Sequence, residues 1–124
     1  MYSERLLDHF RNPRNVGELP PPAVTVEVSN PVCGDILRLS VEFRDGRVVE
    51  ARYKTRGCTA SIAAGSALTG LLIGKTPPEI ARLRPIDVEN SVGGLSSESK
   101  HAALLAVDAV RAVLRGQASA EAGL

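Results

Sequence analysis

Apolar and polar positions alternate in three stretches of the chain. Val24, Val26 and Val28 alternate with Thr25 and Glu27, which predicts a half-buried strand over 24–28. Leu37, Leu39, Val41 and Phe43 alternate with Arg38, Ser40 and Glu42 and predict a second strand. A third is expected over 47–56, and the turn before it decides which side chains face inward. A two-residue Asp45-Gly46 turn pairs Phe43 with Val48 and sends Ala51 and Tyr53 to the polar face. A three-residue Arg44-Asp45-Gly46 loop, with Gly46 left-handed, pairs Phe43 with Arg47 and puts Val49, Ala51 and Tyr53 on the apolar face. Burial of the apolar side chains favours the three-residue loop.

Helical spacing marks the remaining stretches. Ser3 can cap a short helix to Arg11, with Leu6, Leu7 and Phe10 on one face, and Asn12-Pro13 stops it. Residues 60–73 read as a buried small-residue helix closed by Gly74. Pro77 opens a short helix to about Leu83, and Pro85 opens another. Beyond the break at Val92-Gly93-Gly94-Leu95, Ala103, Val107, Val110 and Leu114 lie on one face of a helix from Ser99 to Arg115, which Gly116 is expected to end. Three consecutive strands followed by helices predict an α+β fold, an antiparallel sheet covered on one face. One domain is expected over 1–117, with residues 118–124 as a flexible tail.

Composition narrows the function classes. Of 124 residues, 44% are hydrophobic, but the aromatics are only Tyr2, Phe10, Phe43 and Tyr53, so the core is aliphatic. Fifteen basic against fourteen acidic residues give a net charge of +1, without the basic footprint of a nucleic-acid binder. No apolar run has the length of a membrane span, and the N-terminus lacks the apolar stretch of a signal peptide, which together predict a cytoplasmic protein. In such a reducing compartment Cys33 and Cys58 are expected as thiols rather than a disulfide.

Four reactive side chains sit at breaks between the predicted elements: Cys33 and Asp35 around Gly34, Cys58 at a helix start, and His101 in the first turn of the last helix. A helix N-terminus favours a thiolate at Cys58. Two thiolates, an imidazole and a carboxylate suffice for a tetrahedral metal site. Residue types alone leave a second reading open, with Cys58 a small core residue, His101 a surface imidazole and Asp35 a turn residue.

Three segments carry a resemblance. Asn30-Pro31-Val32-Cys33-Gly34-Asp35 resembles the first ligand loop of the IscU/NifU-type iron–sulfur cluster scaffold family. Lys54-Thr55-Arg56-Gly57-Cys58-Thr59-Ala60-Ser61-Ile62-Ala63 is similar to its second ligand segment. Tyr2-Ser3-Glu4 and Asp8-His9-Phe10-Arg11-Asn12-Pro13-Arg14-Asn15-Val16-Gly17 resemble its N-terminal segment. The similarity runs from residue 2 to about 116 in the family's order. It implies the family's SufE/NifU-type fold, a three-stranded antiparallel sheet packed with helices. It implies Cys33, Cys58 and His101 as ligands, with Asp35 as a nearby ligand or ligand-exchange residue. The cargo implied is iron or a [2Fe–2S] cluster, with zinc as an alternative occupant. The partners implied are a cysteine desulfurase and apo-protein or carrier acceptors.

Two features depart from the family. Relatives usually place a cysteine directly after this histidine, where the chain has Ala102. Residues 93–98 lack the Pro-Pro of the chaperone-binding motif, which leaves a chaperone contact without its usual sequence. With two thiolates rather than three, a cluster is expected to be more labile, and zinc, which accepts mixed ligands, to suffer less. Cys33 is then the expected persulfide acceptor. The leading expectation is an assembly platform rather than an enzyme with turnover on a small molecule. The alternatives are a zinc-dependent sulfur acceptor working through Cys33 and a degenerate paralogue that builds no cluster. His9, the Arg52/Lys54/Arg56 strand face, and Gly65 and Gly70 are read as structural: a supporting imidazole, a solvated face and close helix packing.

Overall fold

The computed structural model describes residues 2–32 and 34–121, without the side chains of 119–121. Cys33 and the end of the expected tail, 122–124, lie outside the described residues. Strand β1, Val24–Ser29, pairs antiparallel with β2, Ile36–Arg44, which pairs antiparallel with β3, Arg47–Arg56, in sheet order β1-β2-β3. Val26 lies opposite Leu39 and Val28 opposite Leu37, so the predicted alternation holds across the first pair.

The β2–β3 turn corrects the expected loop. Arg44 pairs with Arg47 and Phe43 with Val48, which leaves a two-residue Asp45-Gly46 turn with φ of 54° and 77°. Positive φ at both central residues gives a twist that matches the strands, which is why Asp-Gly suits this turn. The inward face is recovered a residue later. A register shift at Glu42/Phe43 leaves Val49 as the extra residue of a bulge, and Ala51 then lies opposite Val41 and Tyr53 opposite Leu39. Ala51 and Tyr53 are buried as expected, whereas Val49 is 37% exposed and Val48, at 1%, takes its inward place.

Helices α1 (Glu4–Arg11), α2 (Thr59–Leu72), α3 (Pro77–Ala81), α4 (Pro85–Ser91) and α5 (Lys100–Glu121) complete the fold. Ser3 caps α1 by accepting from the Leu6 amide. The main core joins Leu37, Leu39, Val41 and Tyr53 of the sheet to Ala60, Ala64 and Leu68 of α2 and Ala103, Ala106 and Val110 of α5. Each such Leu or Val contributes about 1.5–3 kcal/mol by leaving water. A smaller cluster of Leu6, Ala63, Ala67 and Val92 seats α1 on α2.

Small residues let α2 lie close to the sheet. A Cβ on Gly65 would stand 2.5 Å from the Tyr53 ring, whereas one on Gly70 meets nothing within 4 Å, so only the first glycine serves close packing. Gly116 does not end α5, which runs on to Glu121. A Cβ there would meet Val24 Cγ1 at 2.8 Å, so this glycine serves the approach of α5 to β1 rather than helix termination. Among the described residues no helix is long and apolar enough to cross a membrane.

Candidate metal centre

The loop before β2 turns sharply to deliver Asp35. The Asn30 amide donates to the Asp35 carbonyl at 2.8 Å, the Gly34 amide to the Asn30 carbonyl at 2.7 Å, and the Val32 amide to Asn30 Oδ1 at 2.9 Å. Gly34 takes φ 78°, which glycine adopts without a Cβ clash. Cys58 follows β3 as the N-cap residue of α2, and its side chain makes no capping hydrogen bond. The thiol is exposed and stands at the N-terminus of a 14-residue helix. His101 stands in the first turn of α5. Its Nδ1 lies 3.0 Å from the Glu98 carbonyl, an acceptor only, so Nδ1 carries the proton and donates. That bond fixes the ring and aims Nε2 at the other two residues.

Three elements thus bring Asp35, Cys58 and His101 together, with one ligand atom from each inside a 4.8 Å span. His101 Nε2 lies 3.2 Å from Asp35 Oδ2, Cys58 Sγ 3.8 Å from the same oxygen, and Cys58 Sγ 3.9 Å from Nε2. Bond lengths of about 2.0–2.3 Å in a tetrahedral zinc site put ligand atoms about 3.4–3.6 Å apart. The three separations are therefore one face of such a tetrahedron to within a few tenths of an ångström. Sulfur, imidazole nitrogen and carboxylate oxygen form a mixed donor set that suits zinc and iron.

Two residues that the sequence reading passed over shape this face. Ser61 Oγ donates to Asp35 Oδ2 and lies 3.4 Å from Cys58 Sγ. It falls one helical turn after Cys58, a spacing that could have marked it. Gly57 makes room: a Cβ there would stand 2.8 Å from the Asp35 carboxyl carbon. Asp35 is only 6% exposed.

The other candidates fall elsewhere. Ala102, beside His101, is 2% exposed and belongs to the main core. His9 lies on α1, its Nδ1 2.7 Å from Ser66 Oγ, and takes no part in the Asp35, Cys58 and His101 group. On the outer sheet face Arg52 pairs with Glu50, Arg38 pairs with Glu18 and Glu27, and Lys54 and Arg56 are exposed.

Residues 1–119 match the family model described as the NifU-like N-terminal domain. An iron–sulfur cluster assembly scaffold protein IscU of Archaeoglobus fulgidus is 39% identical over 111 residues, covering 90% of this chain and 72% of the relative. The iron–sulfur cluster assembly scaffold protein IscU of Azotobacter vinelandii is 35% identical over 118 residues, covering 92% and 91%. The solved structure of a NifU-like protein's N-terminal part from Brucella abortus superposes with a TM-score of 0.73 at 21% identity, covering 92% of each chain, which speaks for the fold.

Proposed function

The chain belongs to the NifU-like N-terminal domain family, and from that membership we propose that it is an iron–sulfur cluster assembly scaffold. Iron and a nascent [2Fe–2S] cluster are its cargo, carried on Asp35, Cys58, His101 and Cys33. The observation that carries the reading is the convergence of Asp35, Cys58 and His101 from a loop and two helix starts onto one small face. The two relatives named as scaffolds support it.

Each residue has a chemical task. Cys58 supplies the thiolate that ferric iron favours, and its exposure lets iron and sulfur arrive and leave. His101, oriented by the Glu98 carbonyl, supplies Nε2. Asp35 supplies a buried oxygen that Ser61 holds in place and that the missing side chain of Gly57 makes room for. Cys33 supplies the second thiolate and accepts sulfur. Its thiolate attacks the outer sulfur of a desulfurase persulfide, a new S–S bond forms as the old one breaks, and the desulfurase leaves as thiolate. With nitrogen and oxygen among the ligands, the cluster is held less firmly than by thiolates alone. That suits a protein that passes its cargo to an apo-protein acceptor. Zinc at the same residues is a second reading, favoured by the near-tetrahedral separations.

The test is anaerobic reconstitution with ferrous iron, a cysteine desulfurase, free cysteine as the sulfur source and a thiol reductant that brings persulfide sulfur to sulfide, followed by elemental analysis, the visible spectrum and transfer to an apo-ferredoxin. Bound iron and sulfide in equal amounts, with transfer, is the expected result. Protein that takes up zinc but never iron and sulfide overturns the scaffold reading in favour of the zinc one.

A further inference from the structure

The first turn of α2 carries a hydroxyl at the centre of the candidate metal face. Ser61 is 4% exposed. Its Oγ donates to Asp35 Oδ2, the same oxygen that lies 3.2 Å from His101 Nε2 and 3.8 Å from Cys58 Sγ. The hydroxyl is also 3.4 Å from Cys58 Sγ. It is the one side chain among the described residues hydrogen-bonded at once to two members of the Asp35, Cys58 and His101 group without belonging to it.

Gly57 leaves the space that the Asp35 carboxyl occupies: a Cβ at that position would be 2.8 Å from Cγ and 3.0 Å from each oxygen. Gly57 thus admits the carboxyl, and the Ser61 hydroxyl points Oδ2. A carboxylate oxygen has two lone pairs, so Oδ2 can accept from Ser61 and still offer a pair to a cation. Without the hydroxyl, a nearly buried carboxyl loses the donor that points Oδ2 at the shared face.

We propose that Ser61 is a positioning residue for the metal face, which sets the Asp35 carboxylate in its ligating orientation. The inference rests on the reading that Asp35, Cys58 and His101 hold the metal. Residues that orient metal ligands typically contribute about 10–100-fold to metal affinity. The role is also economical in sequence. Ser61 falls one turn after Cys58, so the helix start that presents the thiol presents the hydroxyl as well.

The experiment is zinc affinity by chelator competition, with zinc as the probe, on the full chain, Ser61→Ala, Ser61→Thr, Asp35→Ala and the Ser61→Ala/Asp35→Ala double variant. Thermal unfolding of each metal-free protein is measured alongside. Expected are an about tenfold loss for Ser61→Ala, an affinity near the parent's for Ser61→Thr, which keeps the hydroxyl, and no further loss when Ser61→Ala is added to Asp35→Ala. That non-additivity is what a residue acting through Asp35 must show, and a merely structural serine would not show it. Equal losses in both backgrounds, an unchanged affinity for Ser61→Ala, or a Thr variant as weak as the Ala variant each overturn the inference and leave the metal reading standing. A parent that binds no zinc, or an Asp35→Ala variant as tight as the parent, brings down the metal reading and this inference with it.

Discussion

Helix α2 carries two polar clusters that look alike in composition and differ in chemistry. Near its start, Cys58 and Ser61 meet Asp35 and His101; further along, Ser66 and Thr69 meet His9, Arg14 and Asn15. Each has a histidine beside a serine. In the second cluster donors and acceptors pair off. Ser66 Oγ accepts from the Arg14 amide at 2.9 Å and meets His9 Nδ1 at 2.7 Å, Thr69 accepts from Asn15 at 3.0 Å, and Thr69 donates to the Ser66 carbonyl at 2.7 Å. Every group serves the docking of α1 and the loop after it, and no set of ligand atoms converges there. In the first cluster an imidazole nitrogen, a hydroxyl and a thiol gather on one carboxylate oxygen, with the thiol exposed. What sets the first cluster apart is that ligand atoms of three side chains converge on one point and one of them is reachable from solvent.

The two clusters are expected to differ most in metal affinity. A structural zinc site yields about 10–16 kcal/mol over about four ligands, or about 3 kcal/mol each, which is a factor on the order of a hundred. Cys58→Ser is expected to lose that much zinc affinity, and His9→Gln to lose none, measured by chelator competition. Equal losses in both would erase the distinction between the clusters.

Glycines give the next effect, on stability. Gly65→Ala forces a Cβ to 2.5 Å from the Tyr53 ring and is expected to cost about 1–3 kcal/mol. Gly70→Ala enters open space in the same helix and is expected to gain about 0.5–1 kcal/mol. Urea unfolding at constant slope reads both, and two values of the same sign would contradict the packing assigned to Gly65.

Ala102→Cys sharpens the site side. It adds one sulfur directly after His101, where family members usually carry a ligand, and after anaerobic reconstitution the visible cluster absorbance is expected to decay more slowly in air than the parent's. Matching decay rates would mean that the missing thiolate does not limit cluster retention.

The smallest effect is on pH. Burial, chiefly, and the Arg14 charge lower the His9 pKa below 6.5, with Arg5 adding to this and Asp8 opposing it. The folded state thus disfavours the charged ring, so the stabilisation is complete above pH 6.5 and is lost as pH falls through the depressed folded value. Since His9 is partly exposed, the loss is expected to stay below about 1 kcal/mol after solvent screening. Urea midpoints should fall from pH 7.5 to pH 5.5 by more in the parent than in His9→Gln; parallel curves would remove His9 as the cause.

Much of the fold was legible because its signals are local. Val24, Val26 and Val28 or Leu37, Leu39 and Val41 alternate over whole strands, and Ser3, Gly74 and Pro77 mark helix ends through their own backbone preferences. The turn was misread because parity can be restored at a distance: an Asp45-Gly46 turn that sends Ala51 outward is rescued by the bulge at Val49. Gly116 was misread because a glycine that ends a helix and one that admits Val24 are the same letter. At the site, Asp35, Cys58 and His101 stood out by residue type at element boundaries, and their convergence is now geometric. Ser61 and Gly57 stayed hidden because the Asp35 carboxyl that both meet lies more than 20 residues away in sequence.

Cys58 and His101 are proposed as ligands of one ion. Cobalt(II) loaded anaerobically in place of zinc tests it most directly, since thiolate-to-cobalt charge transfer and intense tetrahedral d–d bands report sulfur ligation and geometry together. The full chain and His9→Gln are expected to show both features. Cys58→Ser should lose about half of the charge-transfer absorbance, the Cys33 thiolate keeping the rest, and His101→Ala should shift the d–d bands. Identical spectra in all four proteins, or no cobalt uptake by the parent, would contradict the claim.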